Sequence, residues 1–116
     1  MGVNVAFVVG CTKYENPGIS KLEFANEDAS SVARVLHQQC GVPTTYLFLF
    51  EDNSVDSRMQ PRRNNVIREL AAPLHPQHRL TTSIEHLFFF FSGHGFHSQV
   101  DDKDYLLFQR CRTVNH

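Results

Sequence analysis

The chain has 116 residues, of which 41% are hydrophobic and 20% are charged, and its formal net charge is -1. This length and composition predict a single globular domain, and the small net charge excludes a strong electrostatic attraction to nucleic acid or to an acidic membrane surface. No apolar run reaches the roughly 18 residues that a membrane-spanning helix needs.

The cysteines and the N-terminus bear on the cellular compartment. Three cysteines are an odd number without the spacing of a disulfide framework, which is typical of a reducing compartment: Cys11, Cys40 and Cys111. The first residues lack the basic and apolar regions of a signal peptide. We therefore expect a cytoplasmic protein that binds neither nucleic acid nor membranes.

The first half of the chain has the pattern of a strand, a loop and a helix. A mostly apolar run, VNVAFVV, predicts a buried strand over residues 3–9, which Gly10 ends. A polar loop around Asn16-Pro17-Gly18 follows. Apolar residues at helical spacing then predict a helix that stops at Gly41, and they are Ala25, Ala29, Val32, Ala33, Leu36 and Cys40.

The second half continues the alternation. A second strand is predicted over residues 44–50 and a second helix over residues 64–72, which Pro73 halts. After a loop over residues 73–83, residues 84–91 predict a third strand, whose nearly continuous apolar content is typical of a central position. Alternating helices and apolar strands predict an α/β fold, in which a mostly parallel sheet carries helices on both faces.

A histidine between two glycines follows the third strand, in the segment FFFFSGHGFH at residues 88–97. Chemistry in parallel sheets gathers at the carboxyl ends of strands, so His94 is a candidate general acid/base. The four phenylalanines alternate in direction and would anchor the strand beneath both helix layers. Gly93 and Gly95 would let the backbone turn sharply and approach a substrate closely. The alternative interpretation is a capping or core histidine in a loop.

The stretch FFFSGHG at residues 89–95 resembles the catalytic-histidine signature of the caspase-like cysteine peptidases, which include caspases, metacaspases and their bacterial relatives. The resemblance covers nearly the whole chain. Residues 3–36 are similar to the family's first strand, loop and first helix, and Asp104-Tyr105-Leu106-Leu107 resembles the strand after the histidine. This region includes a Leu-x-x-Ala-x-x-Asp-Ala pattern at Leu22, Ala25, Asp28 and Ala29.

This resemblance implies a truncated three-layer caspase-like fold with the strand order 2-1-3, and a cysteine endopeptidase that cleaves a peptide or protein substrate. His94 would act as the general acid/base and protonate the leaving amine, while the backbone N–H of Gly95 would help to hold the oxyanion. The family's nucleophile lies in an Asp-x-Cys segment on a later core strand, and nothing in this sequence matches that segment.

Two functions therefore stay open. One is a fragment of a peptidase, a hydrolase whose nucleophile comes from a second chain or segment, so that this chain alone is inactive. The alternative is a catalytically inactive caspase-like interaction or regulatory module. In either case an exposed sheet edge predicts a homo-oligomer. Cleavage after acidic residues, as in caspases, and after basic ones, as in metacaspases, are both compatible with the sequence.

Other chemical interpretations are less favoured. Cys11 follows the first strand at the same sheet edge as His94 and is an alternative nucleophile, although a small strand-end residue is the simpler interpretation. His94-x-x-His97 lacks carboxylate or cysteine partners at the spacing of a zinc motif. Asp101, Asp102 and Asp104 lie where metacaspases place calcium-binding acids, but acids in a hairpin loop are commonly only solvated. We expect no metal and no cofactor.

The end of the sequence departs from the family pattern. The family continues after residue 107 with a Pro and an Asp, whereas this chain continues FQRCRTVNH. We therefore divide the chain into a caspase-like large-subunit portion, residues 1–108, and an atypical tail, residues 109–116. A reading-frame shift, a natural short protein and an expressed half of a longer protein are the three hypotheses for this tail.

Overall fold

The computed structural model of the chain describes residues 2–74 and 83–110. These residues contain seven helices and strands, and short 3-10 turns at Thr44–Tyr46 and Ser57–Met59. In chain order they are β1 (Val3–Gly10), α1 (Ala25–Gln39), β2 (Leu47–Glu51), α2 (Arg63–Leu74), β3 (Ile84–Ser92), β4 (Gly95–Ser98) and β5 (Lys103–Leu106).

The first three strands form a parallel sheet in the order β2-β1-β3. Ala6 in the middle of β1 pairs with Leu47 on one side and with Phe88 on the other. The α/β class, the parallel sheet and the order 2-1-3 are therefore confirmed. The central position that we predicted for the third strand is wrong for the described residues, because β1 occupies the centre and β3 forms an edge.

Helices cover both faces of the sheet, as predicted. Successive side chains of a strand point to opposite faces, so one face of β1 carries Ala6 and Val8, and the other carries Val5, Phe7 and Val9. The first set packs with α1 in a buried cluster that also contains Ala29, Ala33, Leu36 and Val42. The second set packs with α2 in a cluster that also contains Phe50 and Val66.

Three of the four phenylalanines of β3 pack as the alternation predicts. Phe88 and Phe90 lie against the α1 cluster, and Phe91 lies against the α2 cluster. Phe89 is 49% exposed, so the prediction that helices hide all four rings is wrong for this residue. The reason is the edge position of β3. Leu87, on the same face as Phe89, is also 45% exposed, and among the described residues no further strand lies beside them.

Some element boundaries differ from the prediction. The strand predicted from residue 44 starts at Leu47, because residues 44–46 form a 3-10 turn. The second helix ends at Leu74, one residue beyond Pro73, so the proline that we expected to halt the helix lies in its last turn. None of the helices within the described ranges is long and apolar enough to cross a lipid bilayer.

After β3 the chain forms an antiparallel hairpin, β4–β5, in which Gly95 pairs with Leu106. The segment behind the hairpin then packs back on the domain. The ring of Phe108 lies edge-on to that of Phe91 at 5.4 Å, and the backbone N–H of Gln109 donates to the carbonyl of Pro61 at 3.0 Å. Residues 111–116 lie outside the described part of the chain, and the tail over residues 109–116 stays a prediction.

Candidate active site

The carboxyl ends of β1 and β3 meet at one edge of the sheet. The pairing of the two strands runs to Gly10 and Ser92, and the N–H of Cys11 then donates to the carbonyl of Ser92 at 2.9 Å. His94 follows two residues later and is half-buried. The structure thus places the histidine at the sheet edge where the sequence predicts it.

The loop after β1, residues 11–24, is fixed to this edge by the carboxylate of Asp52, which follows β2. Both carboxylate oxygens lie 3.1 Å from the N–H of Thr12, and one accepts the N–H of Lys13 at 2.7 Å. The carbonyl of Thr12 in turn accepts the N–H of Leu22 at 2.9 Å, so the loop closes on itself. A charged acceptor for backbone N–H groups makes strong hydrogen bonds and holds the loop in one position.

This loop supplies the partner of the His94 imidazole. Nε2 of His94 lies 2.8 Å from the carbonyl oxygen of Ser20. A carbonyl can only accept, so Nε2 must carry the hydrogen, and in the neutral ring Nδ1 then has the free lone pair. The ring is therefore oriented with one basic nitrogen available to remove or deliver a proton.

The two glycines beside His94, Gly93 and Gly95, differ in the space that surrounds them. A Cβ atom on Gly93 would lie 2.8 Å from the hydroxyl of Tyr14 and 2.8 Å from Cζ of Phe91, so the ends of these two side chains would have to shift to admit it. A Cβ atom on Gly95 would come no closer than 3.7 Å to a described residue. The fold leaves space at Gly95, as a close approach of a substrate would require.

The alternation of antiparallel hydrogen bonds gives the direction of the Gly95 N–H. The N–H of Leu107 donates to the carbonyl of His94 at 2.9 Å, so this pair has the closely spaced, hydrogen-bonded geometry. Gly95 and Leu106, the next pair, are then a non-hydrogen-bonded pair whose N–H groups point out of the hairpin. The N–H of Gly95 is accordingly directed away from β5.

The two described cysteines differ in their relation to His94. Cys11 lies at the same sheet edge, but it is fully buried and its Sγ lies 3.7 Å from the carbonyl of Lys13. Cys40 lies at the opposite edge, where its carbonyl accepts the side-chain N–H of Asn4 at 2.9 Å. Cys111 lies outside the described residues.

The acids of the β4–β5 hairpin bond within the hairpin. Asp102 and Asp104 lie 3.1 and 2.7 Å from the two ring nitrogens of His97. Asp101 accepts the hydroxyl of Tyr105; this hydrogen bond lowers the pKa of Asp101 and raises the pKa of Tyr105. Within residues 2–74 and 83–110 no group of three or more histidines, cysteines and acids has the geometry to hold a metal ion.

Sequence reasoning missed three residues of this site: Tyr14, Ser20 and Asp52. Ser20 acts through its backbone carbonyl, which leaves no signal in residue type. Asp52 directly follows β2, and a polar residue at the carboxyl end of a parallel strand was a usable signal. Tyr14 is an aromatic residue in a polar loop at the edge that carries His94, which also points to a role at that edge.

Comparison with known proteins is consistent with this geometry. The family model described as metacaspase, peptidase C14 domain, matches residues 5–110 of the chain. The matched region includes most of β1, the loop of residues 11–24, β3 and the whole β4–β5 hairpin. No curated protein matches the chain.

Proposed function

The chain belongs to the metacaspase family of C14 peptidases, and from this membership we propose that it contributes the general acid/base of a cysteine endopeptidase. The observation that carries the proposal is the hydrogen bond from Nε2 of His94 to the carbonyl of Ser20. It leaves Nδ1 as the basic nitrogen of a ring whose orientation is fixed, which is what a general base needs.

In the proposed reaction, Nδ1 of His94 takes the proton of a cysteine thiol, and the sulfur attacks the carbonyl carbon of the peptide bond. The carbonyl oxygen gains the negative charge, and the N–H of Gly95 donates to it. The protonated Nδ1 then gives its proton to the leaving amine as the C–N bond breaks. Water hydrolyses the remaining thioester, with His94 again as the base.

The nucleophile in this proposal belongs to a segment outside residues 1–116. The burial of Cys11 supports this choice, because a fully buried thiol cannot reach a peptide carbonyl without movement of the loop above it. The distant position of Cys40 supports it as well, since its carbonyl bonds to Asn4 near the start of β1.

The test measures hydrolysis of fluorogenic peptides with Arg, Lys or Asp before the scissile bond. We expect no turnover by residues 1–116 alone, and turnover once a separately produced segment with the family's Asp-x-Cys nucleophile is added. His94→Ala should abolish this turnover, whereas His97→Ala, a matched change in the same hairpin, should retain it. Turnover that survives His94→Ala would refute the proposed role. Turnover by the chain alone that Cys11→Ala removes would identify Cys11 as the nucleophile.

The exposed edge of β3 favours a second function, a catalytically inactive interaction module. Leu87 and Phe89 are about half exposed on this edge strand, and unpaired strand edges bind other strands readily. Self-association is expected for both functions, so the absence of turnover in the presence of the nucleophile segment is the result that would support this second function over the first.

A further inference from the structure

The hydroxyl of Tyr14 occupies an unusual place in the backbone hydrogen bonding next to His94. It accepts the N–H of His94 at 2.8 Å and donates to the carbonyl of Leu107 at 3.0 Å. The opposite bond of the same residue pair, from the N–H of Leu107 to the carbonyl of His94, is direct at 2.9 Å. One of the two hydrogen bonds that a closely spaced antiparallel pair normally exchanges is thus replaced by a side-chain bridge.

The backbone on both sides of Tyr14 is itself held. The N–H of Lys13 donates to Asp52 at 2.7 Å, and the N–H of Glu15 donates to the carbonyl of Gln109 at 2.9 Å. These bonds connect the loop both to the end of β2 and to the segment after β5. The phenol therefore projects from a fixed stretch of backbone rather than from a mobile loop.

The phenol ring also contacts the segment that carries the histidine. The rings of Tyr14 and His94 lie with their centroids 5.3 Å apart and tilted by 57°. A Cβ atom on Gly93, directly before His94, would lie 2.8 Å from the Tyr14 hydroxyl, which would have to shift to admit it. The hydroxyl and the ring of Tyr14 thus restrict the positions that the main chain and the side chain of His94 can take.

We infer that Tyr14 is a positioning residue for His94: its hydroxyl fixes the backbone of His94 so that the imidazole reaches the Ser20 carbonyl. Loss of the hydroxyl leaves the N–H of His94 and the carbonyl of Leu107 without their partner, and the start of the hairpin is then free to move. The catalytic consequence of this inference rests on the function proposed for His94, whereas its structural part does not.

The experiment compares the chain with its Tyr14→Phe variant by NMR. In the unaltered chain we expect the His94 amide to be protected from hydrogen exchange, although it makes no direct bond to β5, and the outward-pointing Gly95 amide to exchange freely. In Tyr14→Phe we expect His94 amide exchange about tenfold faster, the factor that corresponds to one hydrogen bond. We also expect loss of the Nε2–H signal of His94, which a merely structural effect elsewhere would leave in place.

Tyr46→Phe is the matched control. Tyr46 packs against the α2 cluster, and its hydroxyl makes no hydrogen bond with the described residues, so its removal should leave both His94 signals unchanged. In the complex with the nucleophile segment, Tyr14→Phe should lower kcat about tenfold with KM unchanged, because positioning acts on the proton-transfer step.

Unchanged amide exchange and an unchanged Nε2–H signal in Tyr14→Phe would overturn the inference. If that variant does not fold, an unprotected His94 amide in the unaltered chain overturns it equally, and a protected one supports it. These readouts do not require activity. The proposed function can therefore fail, through turnover that survives His94→Ala, while the inference about Tyr14 stands.

Discussion

Nε2 of His94 lies 2.8 Å from the carbonyl oxygen of Ser20, a residue 74 positions earlier in the chain. Because the carbonyl only accepts, we predict that the neutral ring of His94 is the Nε2–H tautomer. Nitrogen chemical shifts of the labelled chain would measure this, with His97 as an internal comparison, since carboxylates flank both of its ring nitrogens. A predominance of the Nδ1–H form would contradict the prediction.

Gly10 at the end of β1 should tolerate no side chain. A Cβ atom there would lie 2.6 Å from the carbonyl oxygen of Ala25 and 2.7 Å from Cβ of Ala29, so α1 would have to move away from the sheet. Gly10→Ala should lower the free energy of unfolding by about 1–3 kcal/mol. Gly95→Ala is the control, because a Cβ atom there would come no closer than 3.7 Å to another described atom. It should change the free energy of unfolding by less than about 0.5 kcal/mol. If urea denaturation gave equal losses of stability for Gly10→Ala and Gly95→Ala, the close approach of α1 to Gly10 would not restrict the residue at that position.

Adjacent phenylalanines of β3 should differ in their contribution to stability. Phe90 packs against the α1 cluster, and Phe90→Ala should lower the free energy of unfolding by about 3 kcal/mol. Phe89 is half exposed, so Phe89→Ala should lower it by about 1 kcal/mol. Denaturant titration of both variants provides the measurement. A larger loss for Phe89 would mean that another surface covers its ring.

The Asp101–Tyr105 hydrogen bond gives the hairpin a pH dependence with a definite sign. The bond raises the pKa of Tyr105, so its contribution is complete below the ordinary pKa of about 10 and is lost as the pH rises through the raised value. It lowers the pKa of Asp101, so the same contribution is also lost when the pH falls through that lowered value.

Tyrosinate absorbance of the chain measures this effect. Asp101→Asn should shift one titration midpoint downwards, towards the ordinary pKa of tyrosine. Asp104→Asn is the matched control, because Asp104 bonds to His97 instead, and it should leave that midpoint in place. A midpoint that is insensitive to Asp101→Asn would argue that the hydrogen bond does not persist in solution.

The exposed edge of β3 should cause self-association. Light scattering in the high micromolar range should detect a dimer or a larger assembly, because the strand offers unpaired backbone groups beside the half-exposed Leu87 and Phe89. Leu87→Lys should reduce the association, whereas Val55→Lys, at a fully exposed position in a loop, should not. A monomer at all concentrations would contradict the prediction.

The sequence was sufficient to predict the parallel sheet and the position of His94. It was insufficient to predict the contacts that other segments make with them. The apolar run VNVAFVV indicates a buried strand, and the spacing of Ala25, Ala29 and Leu36 indicates a helix with one buried face. The bridge from Tyr14 to His94 and Leu107 spans 80 and 93 residues and depends on a single oxygen, so no local pattern records it.

The exposure of Phe89 also could not be predicted, because it depends on a contact with another segment. Residue type indicates that a side chain can be buried, but the cover must come from a neighbouring segment, and hydrophobicity does not specify which segment is present. The strand β4 was missed because Gly95-Phe96-His97-Ser98 is short and is surrounded by turn residues.

The central position of β1 also affects how the protein folds during its synthesis. The strand is made first, yet both of its neighbours come later, since Ala6 pairs with Leu47 and with Phe88. A nascent chain that ends before residue 84 therefore presents an apolar strand with one edge unpaired, and such long-range parallel pairing is intrinsically slow. Chaperone binding to the nascent chain should concentrate on residues 3–10. A translational pause between residues 51 and 84 should raise the fraction of chains that aggregate before β3 emerges.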